Sequence, residues 1–307
     1  MEPRELDVVT GAFGYTGKYI TRRLLTRGRR VRTLTGHPDR PNPFGERVEV
    51  RPFRFDNPAA LVESLTGAAT LYNTYWVRFP YGPVTYEKAV ENTLTLIRAA
   101  EEAGVRRIVH ISITNASEDS SLPYFRGKGI LEKAIVSSRL SYAIVRPTVI
   151  FGAEDILINN IAWILRRFPF FAVPGRGDYR LQPVYVEDVA EIAVRAGQED
   201  TDTVMDAVGP EIFTFEEMVR LIAARIGRQA RIIHVPPGMA LFLARMVGYA
   251  VGDVVLTRDE VRGLMANLLV SGGPPTAPTR FSDWLAANAG RVGTAYASEL
   301  ARHYRRK

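Results

Sequence analysis

Short β-branched runs alternate with amphipathic stretches through the first half of the chain. Leu6–Thr10, Val31–Thr35, Val48–Phe53, Thr70–Thr74 and Arg107–Ile113 have the length and side chains of strands. Between them, Gly17–Arg27, Pro58–Leu65 and Tyr86–Ala103 carry apolar residues at helical spacing. A further helix is expected over Tyr124–Ser138, leading into a strand over Tyr142–Pro147. This alternation predicts an α/β fold whose parallel sheet is doubly wound, with helices on both faces. After Gly152 the rhythm breaks. Trp163–Pro174 is rich in aromatic residues and proline, and helices are expected around Thr214–Ile226 and Pro237–Val251. Val184–Val186 reads as a strand of the main sheet and Asp188–Ala196 as the helix that follows it. Residues 1–150, with 180–200 returning to the sheet, therefore form one expected domain. Residues 151–179 and 201–307 form a smaller, discontinuous C-terminal lobe. Ser271–Pro278 reads as a loop, and no internal repeat is visible.

The chain has 307 residues, 46% of them hydrophobic, enough to bury a full core. It contains no cysteine, which excludes disulfides, thiolate metal sites, iron–sulfur clusters and cysteine nucleophiles. Its four histidines, His37, His110, His234 and His303, show no metal-ligand spacing, so no metal is expected. The net charge of +7 is carried mostly by arginine, with five lysines among 40 basic residues. These charges are scattered, and only Arg302–Lys307 forms a cluster, so nucleic acid is not an expected partner. Met1–Gly11 lacks an apolar signal core, which points to the cytoplasm. Gly238–Leu256 is the most apolar stretch, but Arg245 and Asp253 interrupt it. It reads as a buried helix rather than a membrane span. A homodimer is left open.

The strongest chemical signal lies between the first strand and the first helix: Thr10-Gly11-Ala12-Phe13-Gly14-Tyr15-Thr16-Gly17. Glycines at 11, 14 and 17 allow a tight turn, close approach of backbone to a pyrophosphate, and close packing of helix on strand. The helix N-terminus then offers N–H groups and partial positive charge to the anion. The strand, the helix and the second strand all fall where a dinucleotide-binding βαβ unit needs them.

The spacing Gly-x-x-Gly-x-x-Gly resembles the extended and atypical branch of the short-chain dehydrogenase/reductase superfamily, which has a Rossmann fold. The resemblance continues through Asp56 and Asn57 after the third strand, where the family contacts adenine. It includes Asn73-Thr74-Tyr75-Trp76 after the fourth strand and Asn92 in the next helix. Arg146-Pro147-Thr148 with Phe151-Gly152 corresponds to a place beside the nicotinamide. Val184-Tyr185-Val186-Glu187-Asp188-Val189-Ala190 matches a late family signature. The branch includes epimerases and dehydratases of sugar nucleotides, redox-sensing regulators and the nucleotide-binding accessory subunit of respiratory complex I.

Tyr124-Phe125-Arg126-Gly127-Lys128 is a Tyr-x-x-x-Lys at the start of the helix after the fifth strand. Chance supplies about 0.2 such pairs in a chain of this composition, so the placement is what gives it weight. Positions i and i+4 share one helical face, and a neighbouring ammonium favours the phenolate of a tyrosine. The resemblance implies Tyr124 as acid/base, with Lys128 serving both that tyrosine and the nicotinamide ribose. A hydroxyl should hold the substrate oxygen. Thr114 aligns better with the family's residue than Ser112, two positions earlier on the same strand face. At the end of the second strand, Thr35-Gly36-His37 offers no carboxylate for a ribose diol, which leans toward NADP over NAD. Gly36 replaces the arginine that atypical members often use for the 2′-phosphate, leaving His37 or Arg40 as substitutes. Trp76, Phe79, Tyr81, Trp163, Phe168, Phe170 and Phe171 could line an apolar pocket for a small apolar or aromatic substrate. The expected function is an NAD(P)-dependent oxidoreductase acting on an alcohol or carbonyl carbon. The alternatives are a sugar-nucleotide epimerase or dehydratase, and a dinucleotide-binding sensor or accessory protein without turnover.

Overall fold

The computed structural model describes residues 5–304. Met1–Arg4 and the end of the basic cluster, residues 305–307, lie outside the described residues. The elements run β1 (Leu6–Thr10), α1 (Tyr15–Thr26), β2 (Arg30–Thr35), β3 (Val48–Pro52), α2 (Pro58–Leu65), β4 (Ala68–Asn73), α3 (Tyr86–Glu102), β5 (Arg107–Ile111), α4 (Pro123–Val136) and β6 (Ser141–Pro147). There follow β7 (Val149–Phe151), α5 (Leu157–Arg167), β8 (Phe170–Pro174), β9 (Arg180–Leu181), β10 (Pro183–Tyr185), α6 (Val186–Ala196) and β11 (Thr203–Ala207). The chain then continues through β12 (Phe213–Thr214), α7 (Phe215–Arg225), β13 (Arg231–Val235), α8 (Pro237–Val251), α9 (Arg258–Met265) and α10 (Phe281–Asn288).

Two compact units result. One runs to Pro147 and resumes over Val189–Asp206; the other holds Thr148–Asp188 and the chain from Ala207 onward. The first is built on a seven-stranded sheet of order β11-β6-β5-β4-β1-β2-β3. From β3 to β6 every neighbouring pair is parallel. The winding reverses between β1 and β4, and the carboxyl ends of these strands open a crevice there, the usual ligand position in such sheets. This is the expected Rossmann architecture.

Apolar alternation assigns the two faces. Val8, Leu34, Leu71, Ile108 and Ile144 pack with Leu61, Leu65, Leu96, Ile97 and Ile135 of α2, α3 and α4. On the other face Arg23 and Arg27 of α1 pair with Glu191 of α6, and the Tyr72 ring lies against Gly197, where a Cβ would sit 2.1 Å from its hydroxyl. Arg107 ties this layer to the sheet. Its buried guanidinium donates to the carbonyls of Ala196 (2.8 Å) and Thr201 (2.7 Å) and to Ser141 Oγ.

The second unit has its own core, in which Phe151, Ile158, Phe171, Phe215, Met218, Ile222, Phe281 and Leu285 meet. α5 supplies Ile158, Ile161, Ala162 and Leu165 to it. The aromatic- and proline-rich reading of this region had passed over that helix. On the same helix, Asn160 exchanges two hydrogen bonds with Ala297 (3.0 and 2.8 Å), and Arg166 donates to the carbonyls of Val292 and Ala289.

Three sequence expectations are corrected. The strand read at Val184–Val186 does not join the main sheet; β10 pairs in parallel with β7. The seventh strand is β11, whose short segment Thr-Val-Met-Asp-Ala alternates too briefly to announce itself. α8 has the expected bounds but is not a buried helix, since only Ala240 and Gly248 of it are buried. No helix among the described residues is long and apolar enough to cross a membrane.

Arg107→Met should leave two backbone carbonyls without their donor. A loss of about 3 kcal/mol in unfolding free energy is expected from urea titration. A loss below about 1 kcal/mol would mean that water replaces the guanidinium at no cost.

Candidate functional site

The phosphate cradle is built from backbone. Gly11 has φ +67°, and its N–H donates to Leu34 O (2.8 Å) while its own carbonyl accepts from Gly14 N (2.8 Å). The left-handed conformation at Gly11 is open to glycine at little cost. A Cβ at Gly17 would lie 2.3 Å from Gly11 O, so α1 can sit this close to the loop only with glycine there. At Gly14 the nearest atom to a Cβ is Gly11 O at 3.2 Å, and no other heavy atom lies within 4 Å. Gly14 is also the N-cap of α1. No side chain caps the helix, and its first turn carries no acidic residue. N–H groups left to a ligand, a positive helix end and open space over Gly14 fit a pyrophosphate. Phe13, Tyr15 and Thr16, half-buried, complete this turn.

Beneath the cradle a polar line crosses three strands. Thr10 Oγ1 accepts from Thr74 N (2.7 Å) and Tyr75 N (3.0 Å), and Thr74 Oγ1 donates to Thr10 O. Asn73 Oδ1 accepts from Tyr75 N (3.1 Å) and from Thr10 Oγ1 (3.1 Å). A backbone amide can only donate, so the Asn73 amide is fixed, and its Nδ2 must donate to His110 Nδ1 at 3.0 Å. His110 thereby carries its proton on Nε2. Burial, with Lys128 adding to it, pushes its pKa well below the usual range and keeps it neutral. Asn73 and Thr74, expected beside the cofactor, thus spend their side chains joining β1, β4 and β5. Sequence reading missed His110, which shows only as one polar residue inside an apolar strand.

At the ends of β2 and β3, Thr35 is buried and its Oγ1 accepts from His37 N (3.1 Å). Gly36 is exposed, has no left-handed backbone and no heavy atom within 4 Å of a Cβ. Asp56 is exposed, whereas Asn57 is the N-cap of α2, accepting from Ala60 N (3.2 Å). Nearby, Phe53 and Phe55 stack at 4.8 Å, and Tyr75 packs against both at 5.2 and 5.3 Å. Asn92 Nδ2 donates to the Tyr75 hydroxyl (2.9 Å). Two of these three rings carry no motif in the sequence, and only the fold assembles them into an aromatic cluster, with Tyr75 tilted against the Phe53–Phe55 stack.

Tyr124 and Lys128 do share one face of α4, and Trp76 lies against it. The indole meets Tyr124 edge-on at 5.7 Å, stacks on Tyr86 at 6.0 Å, and leaves only 2.7 Å to a Cβ at Gly127. Lys128 Nζ sits 4.7 Å from the centre of the same indole and donates to Ile111 O (2.7 Å). Burial pushes the Lys128 pKa down to about 7, against the pull of Glu132. Both candidate hydroxyls have a carboxylate neighbour, close for Ser112 and distant for Thr114. Ser112 Oγ donates to Glu132, whose carboxylate also takes Arg146 Nε at 3.0 and 3.1 Å. Thr114 is buried with Oγ1 3.4 Å from Asp206 Oδ2, and its N–H donates to Pro147 O (3.0 Å). Thr148 Oγ1 donates to Gln182 O. The proposed aromatic set divides: Phe79 and Phe171 are buried core, while Tyr81, Phe168 and Phe170 are exposed.

Two predictions follow from this geometry. Gly14→Val should fold, with a melting temperature close to the parent's, yet lose NAD(P) binding by calorimetry. Gly17→Ala should lower the melting temperature, because its methyl meets backbone rather than ligand space. Lys128 makes a pH signature. Its pKa is near 7 folded against 10.5 unfolded, so the folded state binds fewer protons between those values. Stability from this group therefore rises with pH by up to about 1.4 kcal/mol per unit between those values, and its loss on acidification is complete once pH has fallen to about 7. Urea titrations from pH 7 to 10 should show a flatter slope for Lys128→Met; an unchanged slope would return the lysine to solvent.

Comparison with known proteins agrees with the cradle. Residues 11–156 match the NAD(P)H-binding family. The chain is 26% identical over 283 residues to the mitochondrial NADH dehydrogenase [ubiquinone] 1 alpha subcomplex subunit 9 of Arabidopsis thaliana, covering 86% of this chain and 70% of that one. It is 25% identical over 263 residues to the mitochondrial NADH-ubiquinone oxidoreductase 40 kDa subunit of Neurospora crassa, covering 82% and 68%. In fold it resembles a nucleoside-diphosphate-sugar epimerase from Staphylococcus aureus, with TM-score 0.70 and 17% identity over 96% of this chain and 98% of the other. A triphenylmethane reductase from Citrobacter sp. gives TM-score 0.69 and 17% identity over 92% and 99%. Residues 11–156 thus match the NAD(P)H-binding family on a Rossmann fold, and the chain is similar in sequence to the NADH dehydrogenase 1 alpha subcomplex subunit 9 proteins.

Proposed function

We propose that this protein binds NADP(H) and holds it without rapid turnover, as a nucleotide-holding accessory or sensing protein. One observation carries the reading. Tyr124, Gly127 and Lys128, at i, i+3 and i+4 on α4, all meet the single indole of Trp76, so the face that would serve a substrate is covered by the chain itself. The close bond from Ser112 to Glu132 supports it, since that hydroxyl is spent on a carboxylate. A lysine with pKa about 7 is half uncharged at neutral pH and favours a phenolate weakly. The names of the Arabidopsis and Neurospora relatives, subunits of an NADH–ubiquinone oxidoreductase, support an accessory role. The Gly11–Gly17 loop would hold the pyrophosphate, and the Phe53–Phe55–Tyr75 cluster would lie beside adenine. Gly36 leaves room for a 2′-phosphate, with His37 and Arg40 as its basic neighbours.

A second reading keeps the chemistry. The bound nucleotide would supply or accept a hydride, with Tyr124 exchanging its proton with an alcohol or carbonyl oxygen of a small apolar or aromatic substrate. The i, i+4 spacing of Tyr124 and Lys128 favours it, as does the likeness in fold to an epimerase and a reductase. NADPH incubated with the protein and a panel of carbonyl compounds separates the two. The first reading expects saturable binding and no loss of reduced-nicotinamide absorbance. Turnover that falls by roughly 10²–10⁴-fold in Tyr124→Phe, with binding retained, would establish the second. Gly36→Arg adds a forked cation at an unstrained, open position. It should raise preference for NADPH over NADH at least about tenfold, near 1.4 kcal/mol, in paired titrations. No change would move the 2′-phosphate away from this turn.

A further inference from the structure

α8 exposes a row of large apolar side chains: Met239 (49% exposed), Phe242 (58%), Met246 (56%) and Tyr249 (90%). Spaced at i, i+3, i+7 and i+10, they form one stripe about 80° wide and about 15 Å long. The strand that enters α8 through Pro236 repeats the theme. Ile233 is exposed on β13, and exposed Arg231 lies in register with exposed Phe170 on β8. Monomeric proteins rarely leave such contiguous apolar surface to water without use.

Charge says what covers it. From Gly227 through Gly252 the chain contains no acidic residue. Arg228, Arg231 and Arg245 are exposed, and none of them is paired among the described residues. A second copy docked through the same stripe about a two-fold axis would offer these arginines no acidic partner from its own Gly227–Gly252 segment. At 15 residues, α8 is about 22 Å long, short of the roughly 30 Å needed to span a bilayer. An apolar stripe flanked by unpaired arginines suits a helix that lies in the plane of an anionic lipid surface.

We propose that α8 and β13 form a peripheral membrane-binding surface for bilayers rich in anionic headgroups. Met239, Phe242, Met246 and Tyr249 enter the boundary between headgroups and acyl chains. Arg228, Arg231 and Arg245 meet the lipid phosphates.

Vesicle flotation of the full chain tests this. Vesicles of phosphatidylcholine alone are compared with vesicles containing roughly a third phosphatidylglycerol, at low and high salt. The protein should float with the anionic vesicles at low salt and much less with the neutral ones. Arg228→Glu/Arg231→Glu/Arg245→Glu should weaken partitioning about tenfold or more. Phe242→Glu/Met246→Glu should abolish it while leaving the melting temperature and NADPH titration unchanged. Should the latter variant fold poorly, the arginine variant alone decides, because its three positions are exposed. Equal flotation with both vesicles, or none with either, overturns the proposal. So does a dimer in sedimentation that Phe242→Glu/Met246→Glu dissolves while nothing floats, which would assign the stripe to a second copy.

Discussion

The approach of α1 to the turn after β1 is the constraint on which the nucleotide end of the molecule rests. With no side chain at Gly17, the helix comes down onto the Gly11 carbonyl, and no side chain caps its N-terminus. Every later feature is laid out from that point. Thr10, the residue just before the turn, anchors the backbone of Thr74 and Tyr75, so the position of the β4 end is referred to the same loop. Tyr75 then carries the aromatic cluster with Phe53 and Phe55, and Trp76, one residue on, reaches α4. Helix, strand ends and aromatic lining are a single mechanical series, beginning at a missing methyl group.

Polar side chains near the crevice are mostly consumed by this framework. Asn73 orients a histidine, Asn57 caps a helix, Ser112 feeds the Glu132–Arg146 pair, and Thr148 bonds a neighbouring carbonyl. Buried polar groups need partners, and here the fold provides them from within.

Local patterns carried the element bounds well. Pro58–Leu65 in the first unit and Pro237–Val251 in the second have the bounds that their prolines and apolar spacing announce, and the glycine turn stands where strand and helix periodicity meet. What stayed hidden depends on partners distant in sequence. Nothing near residue 76 says that its ring will press on residue 127. Nothing in Ile-Ser-Ile-Thr shows that its hydroxyls will face Glu132 and Asp206. The exposure of α8 is illegible for the converse reason: an apolar helix reads as buried, and composition alone cannot say that no element among the described residues covers most of it.

Trp76 and Lys128 together have an optical consequence. The amine lies 4.7 Å from the centre of the indole, and its charge turns on and off around neutral pH. An indole excited state shifts its electron density across the ring, so a cation at that distance displaces its emission. His110 stays neutral beside it and adds no competing titration. The intrinsic fluorescence of this protein therefore holds a built-in gauge of the protonation of one buried lysine, readable without any label.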